Sequence, residues 1–322
     1  MPSAEIHLRT LVPLDERILR IPPARERSHL AIAEEGLKGD RVILFEALSL
    51  TEAEEMVAAV ATQAGLLDQL ELQAAFASIH GHRKNIGNFF MTVTQREHGQ
   101  FITPHSEGTR LANIQLASFY CIENSTDGGE TILLNTRQNG GGWRTQRELV
   151  FKIDAEAASQ LSAAQIQYAK VLYNIQLPRD TLSDVDHVVL ETSSEELCGL
   201  KVYGVLIPLA MAHSQVLDQD MYVYWDNVGN VDYDSVEQYA NLLGQIGLPG
   251  LPLNLTRLAE IDKYRDRRCW RSGSHYTDFF SGYIRHKLRP GDLLIFNNLS
   301  WAHSATAWTP QAGNRRVIAA FA

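Results

Sequence analysis

The sequence predicts an α+β fold that is mainly β, a barrel or sandwich carrying a few helices. Two observations point there. Short β-branched or aromatic runs bounded by turn-forming residues recur along most of the chain, and helical periodicity is confined to early and middle positions. No internal repeat or low-complexity segment interrupts that pattern.

Residues 1–40 are mixed and polar and contain the Pro22–Pro23 pair, which reads as an irregular arm with room for one short strand. The run 41–45 is short and β-branched, as a buried strand should be. A helix is expected next: Thr51 and Glu54 stand in capping-box register, and Met56, Val57, Val60, Ala64 and Leu67 recur on one face. Strands are expected over 89–95, 111–122 and 130–134. The last two flank a turn, 124–129, that is dense in Asn, Ser, Asp and Gly. The triple glycine at 140–142 marks a mobile loop. A second capping box, Ser162 with Gln165, opens a helix running to Ile175, and 186–212 holds two or three strands. Residues 213–285 resist assignment beyond an aromatic cluster (Tyr222, Tyr224, Trp225), a helix over 235–244 and a Gly/Pro turn at 247–252. The end is clearer. A turn at 289–292 precedes a strand at 293–296, a short strand or loop at 302–308 and a terminal strand at 315–321.

The 322 residues are 45% apolar and 21% charged, ordinary for a globular chain able to bury a large core, and a single domain of this size is common for barrels. With 29 basic and 38 acidic residues the net charge is -9, which argues against nucleic acid as a partner. Three scattered cysteines form no CxxC pair, which excludes a cysteine zinc site and a disulfide framework and suits a reducing compartment. No apolar leader or membrane-length run is present, so no membrane partner is expected and the cytoplasm is the default location.

Four stretches can carry chemistry. In Pro104-His105-Ser106-Glu107, residues two apart on a strand share a face, so His105 and Glu107 can offer an imidazole nitrogen and a carboxylate oxygen to one metal ion. Among eleven histidines, chance alone places about one acidic residue at that spacing, so the pair by itself is not diagnostic. His303 follows an apolar strand and is a candidate third ligand. Two histidines and a carboxylate form the triad that leaves coordination positions open in non-haem iron oxygenases. Arg315 and Arg316 adjoin the terminal strand, where at most one of the two should face inward, and an inward one needs an anion to offset its desolvation. Gly128-Gly129-Glu130-Thr131 forms a tight turn whose threonine hydroxyl can serve the same anion. Each stretch has a plain structural alternative: a solvated pair, a core histidine, a surface arginine pair, an ordinary hairpin.

Their order and spacing together set this chain apart. The stretches Thr103-Pro-His-Ser-Glu107, Gly-Gly-Glu-Thr131, Arg289-Pro-Gly-Asp-Leu-Leu-Ile-Phe-Asn-Asn298, His303 and Arg315-Arg316 resemble the clavaminate synthase-like, taurine dioxygenase-like family of Fe(II)/2-oxoglutarate oxygenases. The resemblance covers about 40–135 and 285–322; residues 136–285 match only as an insert or lid in the expected place. It implies one domain over 1–322 with a double-stranded β-helix (jelly-roll) core, flanking helices and that insert.

It also implies a dioxygenase using Fe(II), 2-oxoglutarate and O2, with His105, Glu107 and His303 on the iron and Thr131 with Arg316 on the cosubstrate, Arg315 being the second choice. Ala320 stands where some relatives carry a further arginine, so the cosubstrate grip is simpler here or shared by Arg315. The intact Glu107 argues against halogenation, for which relatives substitute a small residue. The implied reaction is oxidation, most commonly hydroxylation, of a small polar metabolite such as an amino acid or an amino-acid-derived intermediate of specialised metabolism, with release of succinate and CO2. Trp143, Arg144, Tyr224, Trp225 and Arg271 are the expected substrate contacts, Tyr222 is a further one, and His213 and His275 are spare metal ligands; His80-Gly-His82 reads as a local turn. The partner is then a small molecule, and a homo-oligomer is compatible with the chain. Two alternatives remain at this stage: the same chemistry on a protein side chain or carrier-bound aminoacyl group, and a non-catalytic metal-binding barrel.

Overall fold

The computed structural model describes residues 11–22, 27–80, 83–93, 102–108, 112–136, 142–145, 147–194, 200–225, 242–248, 276–309 and 311–322. Strands β1 (Val12–Pro13) and β2 (Ile18–Ile21) precede helix α1 (Arg27–Lys38), strand β3 (Val42–Phe45) and helices α2 (Leu50–Gln63) and α3 (Leu67–His80). Then come β4 (Asn85–Ile86), β5 (Phe90–Thr92), β6 (Ile102–His105), β7 (Leu116–Asn124) and β8 (Thr131–Asn135). The middle of the chain forms α4 (Gly142–Thr145), β9 (Arg147–Ile153), α5 (Ala155–Ser159), α6 (Ala163–Tyr173), β10 (His187–Ser194), β11 (Leu200–Pro208), β12 (Ala212–Ser214) and β13 (Gln219–Met221). The chain closes with β14 (Gly282–His286), β15 (Leu293–Asn297), β16 (Trp301–Ala305) and β17 (Arg315–Phe321).

Two mixed sheets face each other. One has five strands in the order β1-β14-β8-β16-β6, the other seven in the order β2-β3-β15-β7-β17-β5-β4. Leu133, Ile284 and Trp301 from the first sheet and Leu44, Phe119, Phe296, Val317 and Phe321 from the second fill the space between them. The outer face of the seven-stranded sheet is covered by Leu37 of α1, Val57 and Val60 of α2 and Leu70 of α3. The outer face of the five-stranded sheet packs under Trp143, Tyr224, Trp225, Leu242 and Phe279. Because both faces of the central strands are covered, β7 and β15 read as continuous apolar runs rather than alternating ones. Each large side chain sealed there, such as Phe45, Phe296 or Trp301, stabilises the fold by about 1.5–3 kcal/mol. A separate three-stranded sheet, β10-β11-β9, packs Ile153 and Val202 against Ala169 of α6.

The mainly β expectation is met, with particular differences. The 1–40 segment carries a helix, α1, and two strands rather than an irregular arm. The cap of α2 lies two residues earlier than expected: Ser49 accepts from the Glu52 N–H and Glu52 answers to the Ser49 N–H. Glu54 is instead drawn across to the β4–β5 turn, where it accepts from the Asn88 and Phe89 N–H groups. The Ser162–Gln165 capping box opens α6 as read. Helix α3 has no counterpart in the sequence reading. Residues 137–141, 226–241 and 249–275 lie outside the described residues, and with them most of the expected glycine loop and the 235–244 helix. Among the described residues no helix is long and apolar enough to cross a membrane.

A buried carboxylate locks the layers together. Asp40, 1% exposed in a left-handed turn (φ 57°) between α1 and β3, accepts from Ser300 Oγ, from Trp301 Nε1 at 3.1 Å and from Asn135 Nδ2 at 3.2 Å. A buried carboxylate is tolerated only when its desolvation is answered by such donors. Asp40→Ala removes the acceptor that three groups share. We expect it to lower unfolding stability by about 2–4 kcal/mol in chemical denaturation; a loss below about 0.5 kcal/mol, the range of a neutral surface change, would contradict the assignment.

Candidate metal centre

Strands β6 and β16 pair antiparallel with His105 directly opposite His303, and the two imidazole rings lie 4.4 Å apart between centroids. Glu107 follows two residues after His105, so extended backbone returns its side chain to the same side. The result is a three-donor cluster. The Nε2 atoms of His105 and of His303 each lie 3.7 Å from Glu107 Oε1, and all donor atoms fall within 4.8 Å of one another. Two donors 3.7 Å apart can both reach one ion at about 2.1 Å, the ordinary metal–nitrogen or metal–oxygen distance. Two imidazoles and a carboxylate on one side of an ion suit a divalent first-row metal and leave its other positions open. The donor set therefore fits a bound Fe(II).

The position of Glu107 does not depend on its strand alone. Its backbone N–H donates to Asn298 Oδ1 at 2.8 Å, and Asn298 Nδ2 donates to the Glu107 carbonyl at 3.0 Å and to that of Ile114 at 2.8 Å. Asn298 is fully buried just past β15. Ser106, between the two β6-side ligands, donates its N–H to the Tyr224 carbonyl at 2.7 Å. His303 is walled by Phe119 and Phe296, whose ring centroids lie 4.9 and 6.0 Å away. Its side chain is 8% exposed against 16% for Glu107 and 22% for His105, so the cluster opens on the side of the latter two.

Burial opposes ionisation of Glu107, yet hydrogen bonds from His105 and His303 and the charges of His303 and Arg83 outweigh it and hold the carboxyl well below its usual range. Burial and the neighbouring His105 push His303 down to about 4, against the pull of Glu107. At neutral pH the centre thus presents an ionised carboxylate and an unprotonated His303, the states that ligation requires.

Thr131 opens β8 and is buried; it pairs with Ala305 while Leu133 pairs with His303. It therefore sits two residues, about 7 Å, along the sheet from the histidine and on the same face. The two arginines lie on opposite sides of β17. Val317, Ala319 and Phe321 of β17 enter the inter-sheet core, and the odd-numbered Arg315 shares their side whereas Arg316 is exposed. Arg315 Nε donates to the Gly129 carbonyl at 3.1 Å and its guanidinium lies 6.0 Å from the Trp308 ring centre. Burial pushes its pKa below the ordinary value, and among the described residues no carboxylate pairs with it. Gly129, at φ 73°, adopts a left-handed conformation, and a Cβ there would meet Arg315 Cδ at 2.9 Å. Arg316, the first choice, points the other way, as an adjacent residue on a strand does.

The expected substrate contacts distribute differently. Trp143 is buried, stacked on Tyr222 at 5.4 Å and donating its indole N–H to the Phe279 carbonyl at 3.1 Å. Tyr224 packs among Trp143, Phe279 and Phe280, and its link to the centre is the backbone bond to Ser106. Trp225 is buried and bridges Ser106 through the backbone, and Arg144 is exposed. These aromatic rings belong to the packed layer behind the five-stranded sheet. His213 lies apart, paired with Asp220 at 3.0 Å, and Arg271, His275 and the Gly81–His82 part of the expected turn lie outside the described residues. Sequence reasoning gave no role to three residues: Arg83, which reaches Glu107, and Asn298 and Glu130, both quoted only within motifs. Glu130 accepts from Arg285 Nη2 at 3.0 Å and from Thr306 Oγ1, bracing the turn that presents Thr131.

No family model matches the chain, and no curated protein matches it. Among solved structures it is similar to the crystal structure of AAD-2 in complex with Mn(II) and N-oxalylglycine, with 12% identity over 97% of this chain and 96% of that one and a TM-score of 0.38. At that level of likeness the centre has to be read from its own geometry.

Two outcomes follow. Asn298→Ala frees the Glu107 backbone while leaving all three ligands, and we expect divalent metal affinity to fall about 10–100-fold in equilibrium dialysis; unchanged affinity would show that Asn298 does not position the ligand. For Glu130, burial raises the pKa, but the Thr306 hydrogen bond, its own backbone and Arg285 lower it further, so the folded-state value lies below the ordinary one. Its contribution is then present above the unfolded-state pKa and lost as pH falls through the folded-state value. Glu130→Gln should cost about 1–3 kcal/mol at pH 7, a gap that closes as the pH falls through the folded-state value in parallel thermal melts; a gap independent of pH would contradict the charged role.

Proposed function

We propose that this chain is an Fe(II)/2-oxoglutarate-dependent oxygenase that oxidises a small polar metabolite, such as an amino acid or an amino-acid-derived compound. Hydroxylation is the reaction proposed. The observation that carries the reading is the one-sided His105–Glu107–His303 cluster. Bound Fe(II) with 2-oxoglutarate would supply the oxidising power, using dioxygen and releasing succinate and CO2.

The chain's own residues bind and orient. His105 and His303 offer their Nε2 atoms, and Glu107 offers a charge that the Asn298 clamp keeps aimed between them. Arg315 supplies a guanidinium without a carboxylate partner among the described residues, suited to the distal carboxylate of a dianionic cosubstrate, and the Thr131 hydroxyl can donate to the same group. Phe119 and Phe296 keep water from the buried flank of His303. The jelly-roll arrangement, the single-domain organisation and the role of the middle of the chain as a lid belong to the same proposal.

The test is anaerobic addition of Fe(II) and 2-oxoglutarate to metal-free protein, followed by visible absorption. The expected result is a charge-transfer band that His105→Ala abolishes and that Arg315→Leu shifts to about tenfold or more higher 2-oxoglutarate concentration. Absence of the band in folded parent protein would overturn the oxygenase reading and leave a metal-binding protein. With the band in hand, candidate metabolites are screened by succinate release.

A further inference from the structure

Arg83 stands two residues before β4, an edge strand of the seven-stranded sheet, whereas the ligand strands β6 and β16 belong to the five-stranded one, yet its guanidinium reaches Glu107. Nη2 lies 3.3 Å from Glu107 Oε2 and 3.4 Å from Oε1, Nη1 lies 3.7 Å from Met91 Sδ, and the group stacks over the Phe321 ring at 5.2 Å. The side chain is 26% exposed, so this ion pair is largely shielded from solvent. The carboxylate that a metal ion would bind is therefore already shared with a fixed cation. Two cations on one carboxylate repel. At the effective dielectric of a partly enclosed site, unit charges about 5 Å apart change a binding constant by more than tenfold.

We propose that Arg83 sets the charge of the centre so that metal binds weakly by itself and firmly together with a dianionic ligand. This rests on the oxygenase reading above. In the ligated state, where metal binding requires deprotonated imidazoles, Glu107 and Arg83 cancel; a divalent ion would leave the centre at plus two, and 2-oxoglutarate would bring it to zero. Without Arg83 the same steps run from minus one to plus one to minus one. The cation thus trades metal affinity for anion affinity, and each ligand strengthens the other by the same factor, as linkage requires. Arg83 acts through Glu107, so it is a positioning residue.

The probe is Mn(II), titrated calorimetrically into the metal-free full-length protein, followed by 2-oxoglutarate into the Mn(II)-saturated protein. Parent, Arg83→Met, Arg83→Gln and Arg83→Lys are compared, with thermal melts to confirm folding. Methionine keeps an apolar stem over Phe321 and Met91 if glutamine disturbs that packing. The neutral variants are expected to bind Mn(II) about tenfold or more tightly than the parent and, once loaded, 2-oxoglutarate about tenfold or more weakly, with lysine restoring both. Neutral variants that bind Mn(II) no better, or worse, would overturn the proposal and leave Arg83 a simple anchor for Glu107. Unchanged 2-oxoglutarate affinity would overturn it as well. A parent that binds Mn(II) but not 2-oxoglutarate removes the oxygenase reading and the anion half of this proposal, while the Mn(II) comparison still decides the metal half. A parent that binds no Mn(II) removes both.

Discussion

The antiparallel pairing of β6 with β16 is the constraint on which the centre depends. It sets His105 opposite His303, and strand alternation then returns Glu107 to the same side. A one-residue slip in that register would turn one histidine to the opposite face and dissolve the cluster. Register is fixed from both ends. Trp301 is held through its indole by Asp40, and the β6 end is held by Asn298 on Glu107 and by Tyr224 on Ser106. The layers behind each sheet serve the same purpose, since they make any slipped pairing bury the wrong side chains.

The polar groups near the centre divide into two kinds. Asp40, Asn298 and Glu130 are buried and answered by donors or acceptors of the fold, so they give rigidity. Arg315 and Arg83 are cations whose desolvation the protein offsets only in part: one carbonyl and an aromatic face for Arg315, and long contacts to one carboxylate, a sulfur and an aromatic face for Arg83. Cations held this way favour negative charge brought from outside.

Much of this was legible in the sequence, and the rest failed for definable reasons. The Ser162–Gln165 box opens α6 at the residue read because a single Ser/Gln pair precedes that helix. At α2, Ser49 with Glu52 and Thr51 with Glu54 both satisfy the pattern, and only the turn at Asn88, across 34 residues, claims Glu54. Helix α1 went unread because no cap signal announces it after the proline pair. The histidines and Glu107 were legible because their chemistry is rare in combination. The choice between Arg315 and Arg316 was not, because Val317 to Phe321 are apolar on both faces and give the alternation no phase. Asn298 and Arg83 act on Glu107 across 191 and 24 residues of chain, a relation only the fold creates.

The central claim is that His105, Glu107 and His303 hold one metal ion together. X-ray absorption at the iron edge of anaerobically Fe(II)-loaded protein tests it most directly. The account predicts a shell of nitrogen and oxygen at about 2.1 Å with the multiple scattering of two imidazoles, reduced to one in His303→Ala. A shell without imidazole scattering, or one unchanged in that variant, would contradict it.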